Sequence, residues 1–208
     1  GEGYDRAYVQ STSDISIDLS EASIEYVKSN AGNDTLDATS STTNTTILGQ
    51  DGNDVISSGS GADRLYGGNG EDQVSGGDGA DRLYGQAGAD ILTGGAGNDR
   101  LYGGADSDQV DGGTGNDYVY GDAGDDTLKG GEGADRLYGG AGADNLDGGT
   151  GNDSLYIDGD DTFTGGDGYD RVYVQSAGDI SIDLDKTNVE YVKSNDGNDT
   201  LDATNLTA

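Results

Sequence analysis

The sequence predicts an all-β fold, a right-handed parallel β-roll in which two sheets stack as a solenoid with ~18 residues per coil. Two observations predict it. A nine-residue unit repeats twelve times without insertion over residues 49–156, and alternate units differ in the residues that flank their recurrent aliphatic position. A short unit that cannot bury an apolar face alone has to stack on its neighbours, so a regular repeat of this kind indicates a solenoid.

Each unit contains six loop residues followed by a strand triplet whose middle residue is aliphatic, as in Arg82-Leu83-Tyr84. Side chains alternate across a strand, so the middle residue of the triplet faces the core and its two neighbours face outwards. One class of unit places Arg and Tyr at the outward positions, and the other places mainly polar residues there, as in Gln73-Val74-Ser75. We therefore expect one coil to contain two units, and each class to form its own parallel sheet.

The composition favours a bound cation and excludes several other classes of site. The chain has 40 Gly, 35 Asp, only 6 Glu, no His or Cys, and a net charge of −31. Carboxylates are hard oxygen ligands and Gly permits tight loops, whereas the usual zinc, copper and haem ligands are absent. Such an acidic surface repels nucleic acid, and no apolar run approaches the ~18 residues of a membrane span. Without metal, a chain this polar is expected to be disordered.

An Asp recurs at the sixth position of each unit. In the predicted coil it lies beside the Asp two units later, and we expect the carbonyl oxygens of the early loop positions to point inward unpaired. Two carboxylates and several carbonyls suit Ca²⁺ at ~2.3–2.6 Å. Ten such pairs in the regular units predict about ten or more ions. The predicted metal ligands are Asp54, Asp63, Asp72, Asp81, Asp90, Asp99, Asp108, Asp117, Asp126, Asp135, Asp144, Asp153, and, in the units after the twelfth, Asp161 and Asp170.

These units, GGxGxDxUx with U aliphatic, resemble the RTX or haemolysin-type calcium-binding nonapeptide repeat, over roughly residues 49–173. The resemblance implies a bacterial origin, type I secretion from the cytosol and folding outside the cell. The units depart from the family pattern at a few places, which are Ser58 at the first position, Gln50, Gln86 and Asp122 at the second, Asp106 at the fourth, and an eight-residue unit at 157–164.

A second, larger repeat surrounds the nonapeptides. Residues 1–39 match residues 166–204 without gaps, with 29 of 39 positions identical. We expect a module of ~165 residues within a larger chain. Three segments are expected: a partial module with flanking strands over 1–48, RTX repeats over 49–173, and a truncated second flanking segment over 174–208. The recurrence of Glu25 as Glu190 is interpreted as structural repetition.

The predicted function is calcium binding by a non-catalytic, monomeric module of a larger secreted protein, outside the cell or on the bacterial surface. Two other classes stay open. The first is an accessory or catalytic module of an extracellular enzyme, although no cluster of unusual residues interrupts the repeat. The second is an adhesive or carbohydrate-binding face along the recurrent Tyr and Arg residues. The alternative for that face is stacking of the tyrosines, with the arginines offsetting nearby acids.

Overall fold

A computed structural model describes residues 4–10, 12–19, 24–176, 181–183, 187–194 and 200–202. Those residues form β-strands, turns and bends without a helix, so none of them belongs to a helix able to cross a membrane. The strands are β1 (Arg6–Tyr8), β2 (Ser16–Asp18), β3 (Tyr26–Lys28), β4 (Thr35–Asp37), β5 (Thr46–Asp51), β6 (Val55–Ser57), β7 (Arg64–Asn69), β8 (Gln73–Asp78), β9 (Arg82–Ala87), β10 (Ile91–Ala96), β11 (Arg100–Ala105), β12 (Gln109–Thr114), β13 (Tyr118–Ala123), β14 (Thr127–Glu132), β15 (Arg136–Ala141), β16 (Asn145–Gly151), β17 (Ser154–Ile157), β18 (Thr162–Thr164), β19 (Asp167–Gly168), β20 (Arg171–Val174), β21 (Ser181–Asp183), β22 (Tyr191–Lys193) and β23 (Thr200–Asp202).

The strands form two long parallel sheets. The first, which we call the tyrosine sheet, has eleven strands in the order β1-β3-β5-β7-β9-β11-β13-β15-β17-β20-β22. The second, the opposite sheet, has ten strands, nine of them in the order β18-β16-β14-β12-β10-β8-β6-β4-β2, and β19 also pairs with β16. Strands β21 and β23 form a separate parallel pair. The predicted two-sheet solenoid is therefore confirmed, whereas its right-handed sense stays a prediction.

In the repeats one coil contains 18 residues, because equivalent residues of successive coils, such as Asp81 and Asp99, are 18 positions apart in the sequence. Leu83 pairs with Leu101 in the tyrosine sheet, and Val74 pairs with Leu92 in the opposite sheet. The middle residues of the strand triplets face inward and stack into one narrow aliphatic core. Its fully or almost fully buried members in the repeats are Ile56, Leu65, Val74, Leu83, Leu92, Leu101, Val110, Val119, Leu128, Leu137, Leu146 and Leu155.

Most strands in the repeats are longer than predicted, with six residues instead of three, because they continue through the glycine pair. The amide of Asp78 donates to the carbonyl of Gly59 at 2.8 Å, and the amide of Gly79 donates to the carbonyl of Ala96 at 2.6 Å. Carbonyls at the second and third loop positions therefore pair between coils. The expectation that all early loop carbonyls are unpaired was wrong at these two positions, since parallel stacking brings loop amides as well as strand amides into register.

The segments that flank the repeats add longer coils to the same sheets. Tyr8 pairs with Lys28, and Lys28 pairs with Leu48, so the offset is 20, as between Asp5 and Glu25. The shortened unit reduces the offset to 17 between Tyr156 and Tyr173, as between Asp153 and Asp170. The second copy of the flanking segment again has an offset of 20, with β20 beside β22. The tyrosine sheet thus passes through the flanking segments without changing direction.

Glycine at the fourth loop position allows one loop to lie directly on the next. Gly97 has φ of 139°, and a Cβ built on it would collide with the carbonyl oxygen of Gly79. Where the repeat departs from the pattern, the backbone keeps its course. Asp106 and Gln86 adopt φ of 75° and 86°. A positive φ of this size costs conformational energy for any residue other than glycine. The departures therefore strain these loops but leave the coil intact.

We expect Gly97→Ala to lower the free energy of unfolding of the calcium-loaded protein by about 2 kcal/mol or more, because the methyl group forces two stacked loops apart. Chemical denaturation followed by circular dichroism measures this. The exposed neighbour provides a control, since Ala96→Ser should change the same free energy by less than about 0.5 kcal/mol. Equal stability of the two variants would contradict the close loop stacking.

Candidate metal-binding columns

The sixth-position aspartates line two inner edges of the solenoid, one in each set of loops. Asp and the aliphatic residue two positions later face the same side of the backbone, so Asp81, just before β9, is buried on the same side as Leu83 within it. Thirteen of the fourteen predicted ligands are at most 2% exposed, and Asp161 is partly exposed. The regular period of the coil therefore brings the predicted carboxylates together along two columns.

One oxygen of each carboxylate connects successive coils. The amide of Asp81 donates to Oδ1 of Asp99 at 2.8 Å, and the amide of Asp99 donates to Oδ1 of Asp117 at 2.8 Å. The column at the other edge repeats the pattern, as between Asp72 and Asp90 at 2.8 Å. The amide of each of these aspartates, which has no strand partner, is thereby satisfied by the carboxylate of the next coil.

The second oxygen of these carboxylates is buried and has no hydrogen-bond partner within the described residues. An ionised carboxylate left in this state costs several kcal/mol, so it requires either a cation or a proton. The orphaned oxygens are Oδ2 of Asp54, Asp63, Asp72, Asp81, Asp90, Asp99, Asp108, Asp117, Asp126, Asp135, Asp144, Asp153 and Asp170.

A second kind of oxygen, a backbone carbonyl, lies next to most of these orphaned oxygens. A Cβ built on Gly85 would collide with Oδ2 of Asp90 and would approach the carbonyl oxygen of Gly103, one coil later, to 2.6 Å. The absent side chain of this first-position glycine therefore leaves a cradle where a carboxylate and a carbonyl from adjacent coils converge. No three acidic side chains cluster as a metal site among the described residues, so backbone carbonyls are needed to complete a ligand set. Hard oxygen donors of this kind fit Ca²⁺.

The sequence pattern of a known repeat matches most of the chain. The RTX calcium-binding nonapeptide repeat, in blocks of four copies, matches residues 39–119 in overlapping segments, then 120–155 and 157–179. The chain belongs to this family. RTX repeats bind Ca²⁺, and the number of repeats here implies several ions. No curated protein matches the chain.

Burial raises the pKa of many of the RTX aspartates. At Asp54 and Asp81 loss of hydration is the largest cause, the hydrogen bond from an amide of the preceding coil opposes it, and neighbouring carboxylates add to it. The pKa rises to about 7 at Asp54, Asp81, Asp90, Asp108 and Asp135, and to about 6 at Asp99, Asp117 and Asp153. The pKa is also raised at Asp72, Asp126, Asp144, Asp161 and Asp170.

The shortened unit keeps the amide–carboxylate ladder but ends one column differently. The amide of Asp144 donates to Oδ1 of Asp161 at 2.9 Å, and that of Asp153 donates to Oδ1 of Asp170 at 2.8 Å. Oδ2 of Asp161 accepts the amide of Asp158 at 2.7 Å, so both of its oxygens have a protein partner. Asp161 is therefore the least available of the fourteen predicted ligands.

The structure extends both columns to carboxylates that the sequence interpretation did not select. Asp34 is 2% exposed and its amide donates to Oδ1 of Asp54 at 2.8 Å; the Gly-Asn-Asp signal before it was visible in the sequence. Oε2 of Glu190 accepts the amide of Asp170 at 2.7 Å, and Oε2 of Glu25 accepts that of Asp5 at 2.7 Å. Nothing in the nonapeptide pattern points to these Glu residues.

One column has a gap. Thr45 stands where the repeat has Asp, and both its amide and its hydroxyl donate to Oδ1 of Asp63, at 2.6 and 2.9 Å. A neutral side chain thus separates Asp63 from Glu25 on that edge.

The raised pKa values predict opposite effects of acid with and without calcium. The pKa values of these carboxylates in the folded state exceed the ordinary 3.8, so their protonation stabilises the metal-free fold. This stabilisation is complete below about pH 4 and is lost as the pH rises through 6 to 7. The metal-free protein should therefore gain β-structure between about pH 8 and about pH 5, in circular dichroism. The calcium concentration at half-saturation of the folded protein should rise over the same range, in a titration of bound calcium, because protons compete for the carboxylates.

Size-exclusion chromatography at each pH provides the control for aggregation, since the pI is about 4.1. A metal-free chain whose β-content stays constant or falls on acidification would contradict the burial of these carboxyls.

Proposed function

We propose that this chain is a non-catalytic, calcium-responsive module of a larger bacterial protein that leaves the cell by type I secretion and functions outside it or at its surface. The observation that carries the proposal is the set of thirteen buried carboxylate oxygens that have no hydrogen-bond partner among the residues that the structure describes. They lie in a chain of net charge −31 whose hydrophobic content is only 31%. A fold built in this way depends on cations.

The proposed ligands are the sixth-position aspartates from Asp54 to Asp170, with backbone carbonyls of the adjacent loops. Asp34, Glu25 and Glu190 are proposed to extend the columns at their ends. Bound Ca²⁺ would supply positive charge to the buried oxygens. The chain itself positions those oxygens, because the hydrogen bond between each Asp amide and the next Oδ1 holds the carboxylate in register.

Calcium dependence would serve export. At low calcium the repulsion between acids opposes compaction, and the narrow core cannot offset the loss of chain entropy, so the module would pass an exporter unfolded. Extracellular calcium modules have affinities of ~10⁻⁴–10⁻³ M, so external calcium would then drive folding. We propose a monomeric module in which residues 49–173 are the main calcium-binding unit, and residues 1–48 and 174–208 are flanking segments that add the ligands at the ends of the columns.

The enzymatic alternative finds less support. The buried column carboxylates with raised pKa face the interior beside glycine backbone and not a substrate cleft. A role as accessory module of an extracellular enzyme is compatible with the same proposal, because it places the chemistry in another part of the parent protein.

A calcium titration tests the proposal. In excess EGTA at neutral pH the circular dichroism spectrum should be that of a disordered chain, and millimolar Ca²⁺ should convert it cooperatively to a β-spectrum. Native mass spectrometry should count about ten ions. Mg²⁺ at the same concentration should produce little folding, since it prefers a smaller octahedral site. A chain that is already β-rich in EGTA would refute calcium-driven folding.

Asp99→Asn tests the ligand assignment at one site. The amide oxygen can still accept the Asp81 amide, but an NH₂ group replaces the orphaned Oδ2. We expect the loss of one or two ions and a higher half-folding calcium concentration, because a buried group left unmet destabilises the loaded fold by roughly 1 kcal/mol.

The matched control is Asp78→Asn, which removes the same charge from an exposed loop position. It should leave the ion count unchanged. Equal effects of the two substitutions would show that net charge matters and that the buried oxygen is not a ligand.

A further inference from the structure

The outer face of the tyrosine sheet has a charge opposite to that of the rest of the protein. Eight of the ten basic residues of the chain occupy the outward positions of its strand triplets, and none of its eleven triplets contains Asp or Glu. The basic residues are Arg6, Lys28, Arg64, Arg82, Arg100, Arg136, Arg171 and Lys193. The opposite sheet has Asp18, Asp37, Asp111 and Asp147 at the corresponding positions and a single Lys129.

The arginines of this face contact aromatic rings. Arg100 and Arg136 lie over the ring of Tyr118, at 5.3 and 5.1 Å from its centroid, and Arg136 donates to its hydroxyl at 3.2 Å. The sequence also suggested that the arginines pair with nearby acids. Within the part of the chain that the structure describes, Arg100 and Arg136 form no such pair. Their charge is therefore directed to the outside of the molecule.

The tyrosines of this face stack on one another. From Tyr66 to Tyr173 seven rings follow each other with centroids 4.2–5.0 Å apart and planes within 14°. Each ring covers the face of the next, so ring edges and hydroxyls are left for a ligand. Burial and the neighbouring Tyr156, with which the Tyr138 hydroxyl shares a hydrogen bond, raise the pKa of Tyr138 to about 12, so this hydroxyl stays neutral.

The stack opens at one step in the second flanking segment. Tyr173 and Tyr191 are tilted by 58° with centroids 6.4 Å apart, and a depression of about 330 Å³ lies there, lined among others by Tyr173, Gln175 and Lys193. The first flanking segment repeats the tilted step, with 50° between Tyr8 and Tyr26. An aromatic face, an amide and a cation thus meet in the depression.

We propose that the outer face of the tyrosine sheet binds a single strand of an acidic polysaccharide, one that bears sulfate or carboxylate groups and lies along the solenoid axis. From Arg64 to Arg171 the arginines follow one another one or two coils apart, at about 4.8 or about 9.6 Å, in a line that matches a linear polyanion. The rows of Arg and Tyr are two residues apart, or roughly 7 Å, and acidic loops flank them on both edges. A duplex nucleic acid or a membrane would contact those acids, whereas one narrow strand avoids them.

The chemistry of the face favours a sugar over a nucleic acid strand of equal width. Single-stranded nucleic acids bind mainly through bases that stack on free aromatic faces. Mutual stacking covers those faces from Tyr66 to Tyr173, and the row of hydroxyls suits a polyhydroxylated chain. The stacked ladder also excludes the simpler interpretation in which neutral sugars stack on its tyrosines.

Binding of the calcium-loaded chain to dextran sulfate tests the proposal by isothermal titration calorimetry, with uncharged dextran as the matched probe. We expect binding to dextran sulfate that weakens with salt, and none to dextran. The triple variant Arg82→Gln, Arg100→Gln and Arg136→Gln should lose about tenfold or more in affinity. A control with the same charge change on the exposed opposite sheet, Gln73→Glu, Gln109→Glu and Lys129→Gln, should stay within about twofold.

A second pair of variants covers the case in which the triple variant fails to fold. Lys193→Gln, in the depression, should weaken binding about threefold, and Lys129→Gln should not. Circular dichroism in calcium precedes each titration, so a failure of calcium-driven folding is separated from a failure of binding. No binding to dextran sulfate, or equal losses in the matched variants, would overturn the proposal. Equal, arginine-dependent binding of single-stranded DNA or of anionic lipid vesicles would overturn the assignment to a polysaccharide.

Discussion

The structure depends on a buried column of aspartates in which each carboxylate has two different tasks. Oδ1 accepts the amide of the equivalent Asp one coil earlier, as between Asp81 and Asp99, and so fixes the register of the loops. Oδ2 is buried without a protein partner among the described residues. The first task is complete within the chain, but the second requires a proton or a metal ion. A buried ionised oxygen without either would cost more than the narrow core can offset.

This constraint explains the composition of the loops. The first-position glycine leaves room for Oδ2 and for the carbonyl of the next coil, and the fourth-position glycine lets one loop lie on another. The core contributes one aliphatic residue per strand triplet and could not support so acidic a chain by itself. Membership of the RTX family accounts for the calcium, and the orphaned oxygens give the physical reason why this fold needs it.

The two sheets share this interior but differ on the outside. The tyrosine sheet concentrates the positive charge and a continuous aromatic stack, while the opposite sheet carries acids and small polar residues. The flanking segments keep the same contrast, because their longer coils add Tyr and Lys to the tyrosine sheet at β3 and β22. A tandem series of such modules would present one long face of constant character.

The sequence by itself determined the coil and its contents. The nine-residue period, the alternation of Arg-Leu-Tyr with Gln-Val-Ser triplets and the recurrent Asp were sufficient for the two parallel sheets, because strand geometry converts a period directly into a face. Only the tertiary structure decided how the polar atoms pair. It joined the carbonyls of the second and third loop positions between coils, placed Glu25 and Glu190 in a column that Thr45 interrupts, and gave Asp161 a second partner. Most of these outcomes depend on contacts between successive coils of unequal length, and no local pattern encodes that register.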